Sequence, residues 1–390
     1  MRFDEEDLRR ALEARSAPPS PQFRGRLSSA LSQGRARPDR MPALAAVAAV
    51  LMALTVVGVF ALVRAAGTER VAPLAKPTPS PVASSPSPLP SPTVVAGVLK
   101  APPAPVALPA NATLSSPSHN VVWALVVDQY LYRSTDRGTT WQQEPLPPFT
   151  GMPEISFVSD TEGWLSVVGS PETQCNAQSI QIWRTTDAGT TWQLLGSRGI
   201  DDRLCKSGLS FVDSTHGFLG SWGPDGRPVI YFTTDGGLTW HAAAPLSDPP
   251  GFVSQPGGDY FAAGRVRSFG GALMLPIHAW SEGTPRQFVY VSNDGGRNWG
   301  YNATVPNGNG SLALVSATYW LQLIFPGQSM ETTDGGATWH VSTSDYSQAA
   351  GVAPEVTFAD GEVGYATVRG GIQRTTDGGR HWTTIRTPGT

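Results

Sequence analysis

From Asn120 to the C-terminus, short apolar stretches alternate with polar positions and stop at clusters of Gly, Asp, Asn and Thr. Gln181-Ile182-Trp183, Pro228-Val229-Ile230-Tyr231 and Val289-Tyr290-Val291 are examples. A period of two puts every second side chain on one face of a strand, and the turn clusters between such runs predict hairpins. The N-terminal part reads differently. Met41–Val63 carries no charged side chain, and as a helix rising about 1.5 Å per residue it covers roughly 35 Å, enough for a bilayer core. Arg24, Arg26, Arg35, Arg37 and Arg40 precede this run, whereas only Arg64 and Arg70 follow closely. The positive-inside bias therefore places residues 1–40 in the cytoplasm and everything after the span outside a bacterial cell membrane. A cleaved signal peptide ending near Val63-Arg64-Ala65 is the competing reading, but its apolar core runs to only about 7–15 residues.

Residues 65–104 are rich in Pro, Ser and Ala; proline fixes φ and removes backbone donors, so this stretch reads as a stalk without a core. Largely polyproline II at about 3.1 Å per residue, it could hold the next domain up to roughly 110 Å from the membrane. The expected organisation is a cytoplasmic tail (1–40), a transmembrane helix (41–64), a linker (65–104) and a repeat domain (105–390). In the tail, Asp4–Arg15 has acids first and arginines later, as a helix dipole prefers. Phe23, Leu27 and Leu31 then recur at helical spacing. This stretch resembles the cytoplasmic tails of bacterial membrane-bound regulators, including anti-sigma factors, without the His/Cys zinc pattern that some of them carry.

One pattern recurs through the repeat domain: Ser134-Thr-Asp136-Arg-Gly138-Thr-Thr-Trp141, with equivalents at Asp187/Gly189/Trp192, Asp235/Gly237/Trp240, Asp294/Gly296/Trp299, Asp334/Gly336/Trp339 and Asp377/Gly379/Trp382. Each fits Ser/Thr-x-Asp-x-Gly-x-x-Trp. The Asp carboxylate can accept from backbone N–H groups of its own turn, and the Gly tolerates the positive φ of a tight hairpin. Each Trp then opens the outgoing strand and is expected in the core between repeats. A second signature lies upstream in three repeats: Phe157/Asp160/Gly163-Trp164, Phe211/Asp213/Gly217-Phe218 and Phe358/Asp360/Gly364-Tyr365. It reads as an outer strand, a turn and an inner strand, which with the box makes four strands per repeat. The tryptophans are spaced 51, 48, 59, 40 and 43 residues apart, the length of a four-stranded blade. The longest interval is expected to hold a loop around Gly257-Gly258 and Gly270-Gly271.

The octapeptide resembles the Asp box, or BNR repeat, of sialidase-like propellers. Its pairing with the upstream Phe/Gly signature resembles the photosystem II assembly factor propellers of the Ycf48/HCF136 type. The resemblance implies an all-β propeller with six blades from six boxes; the seven blades typical of those relatives leave a seventh open, with Val106–Ser118 as a stray strand.

Composition narrows the function. A net charge of -3 with 15% charged residues argues against nucleic acid. Cys175 and Cys205 are the only two cysteines, and on the oxidising side of a membrane they are expected to pair. Sialidases place an arginine triad, a Tyr–Glu pair and an acid/base Asp opposite their boxes, but their Phe/Tyr-Arg-Ile-Pro motif is missing here. Of the candidate arginines Arg133, Arg184, Arg265 and Arg374, Arg184 and Arg374 directly precede boxes and read as solvated strand ends. His241, His340 and His381 adjoin box tryptophans in separate repeats and read as solvent-facing. No catalytic set, cofactor site or metal site is expected. Three readings stay open: a non-catalytic binding or assembly module for an envelope or membrane protein, a glycan-binding or glycan-hydrolysing ectodomain, and a transmembrane regulator working through its tail.

Overall fold

The computed structural model describes residues 92–101, 112–172, 175–222, 228–252, 260–281, 284–324, 328–347, 353–368 and 371–385. The tail, the apolar run Met41–Val63 and the linker up to residue 91 lie outside the described residues. Among the described residues, no helix is long and apolar enough to cross a membrane.

The alternating runs form six antiparallel sheets. Thr93–Ala96 (β1) comes first in the chain. Blade 1 is Ala112–Ser118 (β2), Val121–Val126 (β3), Tyr130–Ser134 (β4) and Gln142–Glu144 (β5). Blade 2 is Met152–Phe157 (β6), Gly163–Val168 (β7), Ile180–Thr185 (β8) and Thr191–Leu194 (β9), with β1 added antiparallel to β9 as a fifth strand. Blade 3 is Cys205–Phe211 (β10), Gly217–Trp222 (β11), Val229–Thr233 (β12) and His241–Ala242 (β13). Blade 4 begins with a broken strand, Tyr260–Ala263 (β14) and Arg267–Phe269 (β15), both paired to Ala272–Ser281 (β16), followed by Thr284–Ser292 (β17) and Gly300–Val305 (β18). Blade 5 is Ser311–Leu314 (β19), Trp320–Leu323 (β20), Met330–Thr332 (β21) and His340–Val341 (β22). Blade 6 is Val356–Phe358 (β23), Gly364–Val368 (β24), Gly371–Thr375 (β25) and Thr383–Ile385 (β26).

The ring closes with six blades. The first strands of consecutive blades touch (β2 with β6, β6 with β10, β10 with β14, β19 with β23), and β23 of the last blade touches β2 of the first. Hydrogen bonds stitch these strands together: Ser115 Oγ accepts from the Phe157 N–H at 2.9 Å, Ser156 Oγ from Phe211 at 2.8 Å and Ser210 Oγ from Val266 at 2.9 Å. The seam between blades 6 and 1 carries an ion pair, His119 to Asp360 at 2.8 Å, and a bond from Arg374 Nη1 to the Arg137 carbonyl at 2.8 Å. No seventh sheet occurs among the described residues; the stretch expected to supply a stray strand contains β2, the innermost strand of blade 1.

Apolar clusters fill the gaps between neighbouring blades all the way round. Each box tryptophan packs into the gap before its own blade: Trp192, Trp240, Trp299 and Trp382 are buried members, and Trp141 and Trp339 pack against theirs half-buried. Taking about 200 Å² of such a side chain out of water contributes up to about 5 kcal/mol per blade.

Three expectations need correction. The strand bearing the Phe of the second signature is innermost, not outer. Phe157, Phe211 and Phe358 lie directly across the ladder from Gly163, Gly217 and Gly364, and a Cβ on Gly163 would stand 2.5 Å from the Phe157 ring. The aromatic opening the second strand stacks on the Phe of the next blade, Trp123 on Phe157 and Trp164 on Phe211, both at 3.7 Å. Gly270-Gly271 is the tight turn between β15 and β16, with φ of 61° and 93°, rather than an inserted loop. Gly257-Gly258 lie outside the described residues, and the extra length of blade 4 goes largely into a long hairpin, with 10 residues in β16 and 9 in β17. Finally, Thr93–Ala96 falls in the stretch assigned to the linker yet pairs with blade 2.

Candidate functional site

The boxes occupy one face. Each closes the hairpin between the third and fourth strands, and in five of the six the turn is bonded to the turn after the second-signature Phe or its equivalent: Arg137 N–H to Asn120, Ala188 to Thr161, Gly236 to Thr215, Gly335 to Thr318 and Gly378 to Glu362. Within each box the Ser/Thr hydroxyl donates to the Asp Oδ1 at 2.7–2.9 Å and accepts the Gly N–H at 2.8–3.0 Å. The same Oδ1 accepts the N–H four residues on at 2.8–3.0 Å. Oδ2 takes that residue's side chain, Thr140, Thr191, Thr239, Asn298, Thr338 or His381. In Asp136, Asp187, Asp235 and Asp377 partial burial pushes the carboxyl pKa up, and these hydrogen bonds overrule it to leave the pKa lowered. In Asp294, held at about 2, and in Asp334 the side-chain hydrogen bond is the strongest influence and lowers the pKa. With every acceptor engaged, these carboxylates build turns.

The box glycines Gly138, Gly189, Gly237, Gly296, Gly336 and Gly379 all have positive φ, from 78° at Gly138 to 96° at Gly379. The positive φ expected of them is present, and a second constraint is added, because each also lies against the preceding blade. The nearest atom to an added Cβ would be the Pro145 carbonyl oxygen at 2.5 Å for Gly189, a Leu195 methyl at 3.2 Å for Gly237, the Ala303 Cβ at 2.6 Å for Gly336 and a Leu321 methyl at 2.5 Å for Gly379. At Gly296 it would run into the Phe218 ring, and at Gly138 into the Ile385 side chain across the seam with blade 6. None of the six lines the central channel. Their place is the interblade packing, as it is for the box tryptophans.

The arginines before boxes are not solvated strand ends. Arg133 pairs with Glu144 at 2.8 Å, reaches the Asp160 carbonyl of blade 2 at 3.0 Å, and lies over Trp123. Arg184 pairs with Glu162 at 2.5 Å and lies over Trp164. Both cap the stacked aromatics of the blade interfaces. His241, His340 and His381 are exposed in separate blades, and among the described residues no group of three His, Cys, Asp or Glu side chains could hold a metal ion.

Cys175 and Cys205 are joined by a disulfide that ties the β7–β8 connection to the start of β10. Beside it Lys206 is buried, its Nζ donating to the carbonyls of Gln178, Arg203 and Leu204 at 3.2, 2.9 and 2.6 Å. This clip lies on the face opposite the boxes, where the first strands begin. The same face carries the long β16–β17 hairpin, which bears a half-exposed Trp280, and the exposed Met152.

The innermost strands enclose a central channel of about 660 Å³. Its charged lining is Glu154 from blade 2, Arg265 and Arg267 from blade 4, Glu355 just before blade 6, and His278 on β16. Arg265 crosses the channel: its Nη1 donates to the Leu114 carbonyl of blade 1 at 2.6 Å and pairs with Glu355 at 3.1 Å. Glu154 accepts from the Leu209 N–H at 3.0 Å. Burial raises its pKa, and the Arg265 charge and that hydrogen bond offset this only in part. Protein walls lower the pKa of His278, although solvent reaches the ring from the mouth. Among the described residues, neither Tyr nor Asp lines the channel.

Of these groups only Arg265 was a sequence candidate. A signal for it existed: aligned on the interblade hydrogen bonds, Arg265-Val266 stands where Ser156-Phe157 and Ser210-Phe211 stand in other blades. A charge at the small-polar position of an inner strand points into the channel.

The BNR/Asp-box repeat family model matches residues 231–242, which contain the third box. No curated protein matches the chain. Among solved structures it is similar to YCF48 bound to D1 peptide, at 18% identity over 73% of this chain and 99% of that one, TM-score 0.38. It is also similar to YCF48 from Cyanidioschyzon merolae (14% identity, 70% and 97% covered, TM-score 0.41) and to a Hadza microbial sialidase (14% identity, 70% and 65% covered, TM-score 0.45). The six sheets themselves establish an all-β propeller, and the family match marks its third box.

Proposed function

We propose that this chain is a membrane-anchored extracytoplasmic propeller that acts as a non-catalytic binding or assembly module for an envelope or membrane protein. The anchor is the apolar run Met41–Val63, with the N-terminal tail in the cytoplasm of a bacterium. The observation that carries the binding reading is the asymmetry of the two faces. One face is six tight, self-satisfied box turns; the other holds the disulfide clip, the long hairpin and the exposed Met152 and Trp280. Variable connections on a rigid scaffold are where recognition is placed. Against catalysis, the two channel glutamates are engaged: Glu355 is held by Arg265, and Glu154 accepts a backbone N–H. Among the described residues, no carboxylate pair free of such partners lines the channel, which speaks against glycoside hydrolysis.

A glycan-binding ectodomain is the second reading, favoured by the exposed Trp280 on the long hairpin and by a cavity of small-molecule size. A regulator acting through its tail concerns residues outside those described. Affinity purification of the tagged full-length protein from detergent-solubilised native membranes, with a tail-deleted control, separates them. Stoichiometric envelope proteins retained without the tail support the module. A cytoplasmic partner lost with the tail supports the regulator, and nothing retained in either case defeats the stable-partner reading.

A further inference from the structure

Arg267 differs from the other arginine of the channel and from its glutamates. Arg265, in the break between β14 and β15, is satisfied by Leu114 and Glu355, and Glu154 is held by Leu209. Arg267 has no hydrogen bond and no ion pair among the described residues; its neighbour is the Phe269 ring, 5.8 Å from Cζ. It sits on β15, three residues before Gly270 of the box-face turn Gly270-Gly271, and lines the channel. Protein surrounds it closely enough that burial pulls its pKa down, yet a guanidinium stays protonated at any physiological pH.

Such a group is costly to keep. A half-buried cation in the wall of a narrow channel gives up part of its hydration, which a counter-charge would restore, and neither channel carboxylate is committed to Arg267. Its planar fork of five donors matches an oxyanion through two parallel hydrogen bonds. Arg133 and Arg184 also lie over rings, but each is paired with a carboxylate as well, which Arg267 is not.

We propose that Arg267 anchors an oxyanion subsite inside the channel, which takes the carboxylate, sulfate or phosphate group of a small molecule. The cavity, about 660 Å³, is in the range that encloses such ligands. This deepens the binding reading above and rests on it, because it names the chemistry that the channel would contribute.

The test is thermal unfolding and titration calorimetry of the full-length protein in detergent with acetate, sulfate or inorganic phosphate, at constant ionic strength against chloride. At least one anion should raise the unfolding temperature saturably below about 10 mM. Arg267→Gln should weaken that binding about tenfold or more and, without anion, should unfold at the same or a higher temperature than wild type. Arg267→Lys should keep part of the binding, since it keeps the charge and loses the fork. The proposal is overturned if no anion acts saturably, if Arg267→Gln binds as wild type does, or if Arg267→Gln unfolds earlier than wild type or fails to fold, either of which makes Arg267 a structural residue. Partners captured equally by wild type and Arg267→Gln would leave the module reading standing with the anion subsite removed from it.

Discussion

Replacing Gly163 with Ala isolates one contact. Gly163 has an ordinary extended backbone, so an alanine there meets no φ penalty and by propensity alone would be slightly favoured. The cost comes from across the ladder: the added methyl would stand 2.5 Å from Phe157 ring atoms, where about 3.5–4 Å is needed. The ring cannot retreat freely, because it is buried and stacked on Trp123 at 3.7 Å. Overpacking of this kind costs about 1–3 kcal/mol, and prising the ring from Trp123 forfeits about 0.5–1.5 kcal/mol more. The expected loss is about 2–4 kcal/mol, or roughly 5–10 °C in unfolding temperature for a domain of this size. Urea or thermal unfolding followed by tryptophan fluorescence reads it. A double-mutant cycle then tests the cause: in a Phe157→Ala background the clash has no partner, so Gly163→Ala should cost less than about 0.5 kcal/mol. Equal cost in both backgrounds, or a Gly163→Ala protein as stable as wild type, would refute the contact as the reason for the glycine.

Other outcomes follow from the same geometry. The box aspartates have folded pKa values below their unfolded value of about 3.9, reaching about 2 in Asp294 and Asp377; their contribution is complete above about pH 5 and drains away as pH falls towards 2, so acid titration by circular dichroism should show stability falling steeply across that range. Arg137 is exposed and holds φ at 61° in the first box, where four of the other boxes have Gly; Arg137→Gly should raise stability by about 0.5–1 kcal/mol, and a loss would contradict the strain argument. Opening the Cys175–Cys205 bond, which closes a separation of 30 residues, should cost about 3–4 kcal/mol in the chain-entropy account, measured as the midpoint shift of Cys175→Ser/Cys205→Ser against wild type.

The boxes were legible because Ser/Thr, Asp, Gly and Trp each do a local job within eight residues, and local hydrogen bonding leaves a fixed spacing. The second duty of the box glycine, such as Gly296 against Phe218 of the preceding blade, leaves no such trace, since its partner lies far off in the chain. Radial order was not legible either. A four-stranded meander reads the same from either edge, so the sequence pairs Phe157 with Gly163 but cannot say that Phe157 faces the axis; the Ser156 bond to Phe211 decides it. Thr93–Ala96 was hidden by the prolines around it, although Val94 and Val95 already alternate between exposed and half-buried on the edge of β9. The channel charges were hardest to foresee. Arg265 meets Leu114 and Glu355 only because blades 4, 1 and 6 share one axis, and such pairing leaves no short-range pattern.

The binding claim is tested most directly by hydroxyl-radical footprinting of the full-length protein alone and with the partner it retains on purification. Met152 and Trp280, 49% and 37% exposed on the face opposite the boxes, carry the most oxidisable side chains there. The account predicts that both become protected while the box-face residues His340 and His381 stay as reactive as before. Unchanged labelling of Met152 and Trp280, or protection confined to the box face, would contradict it.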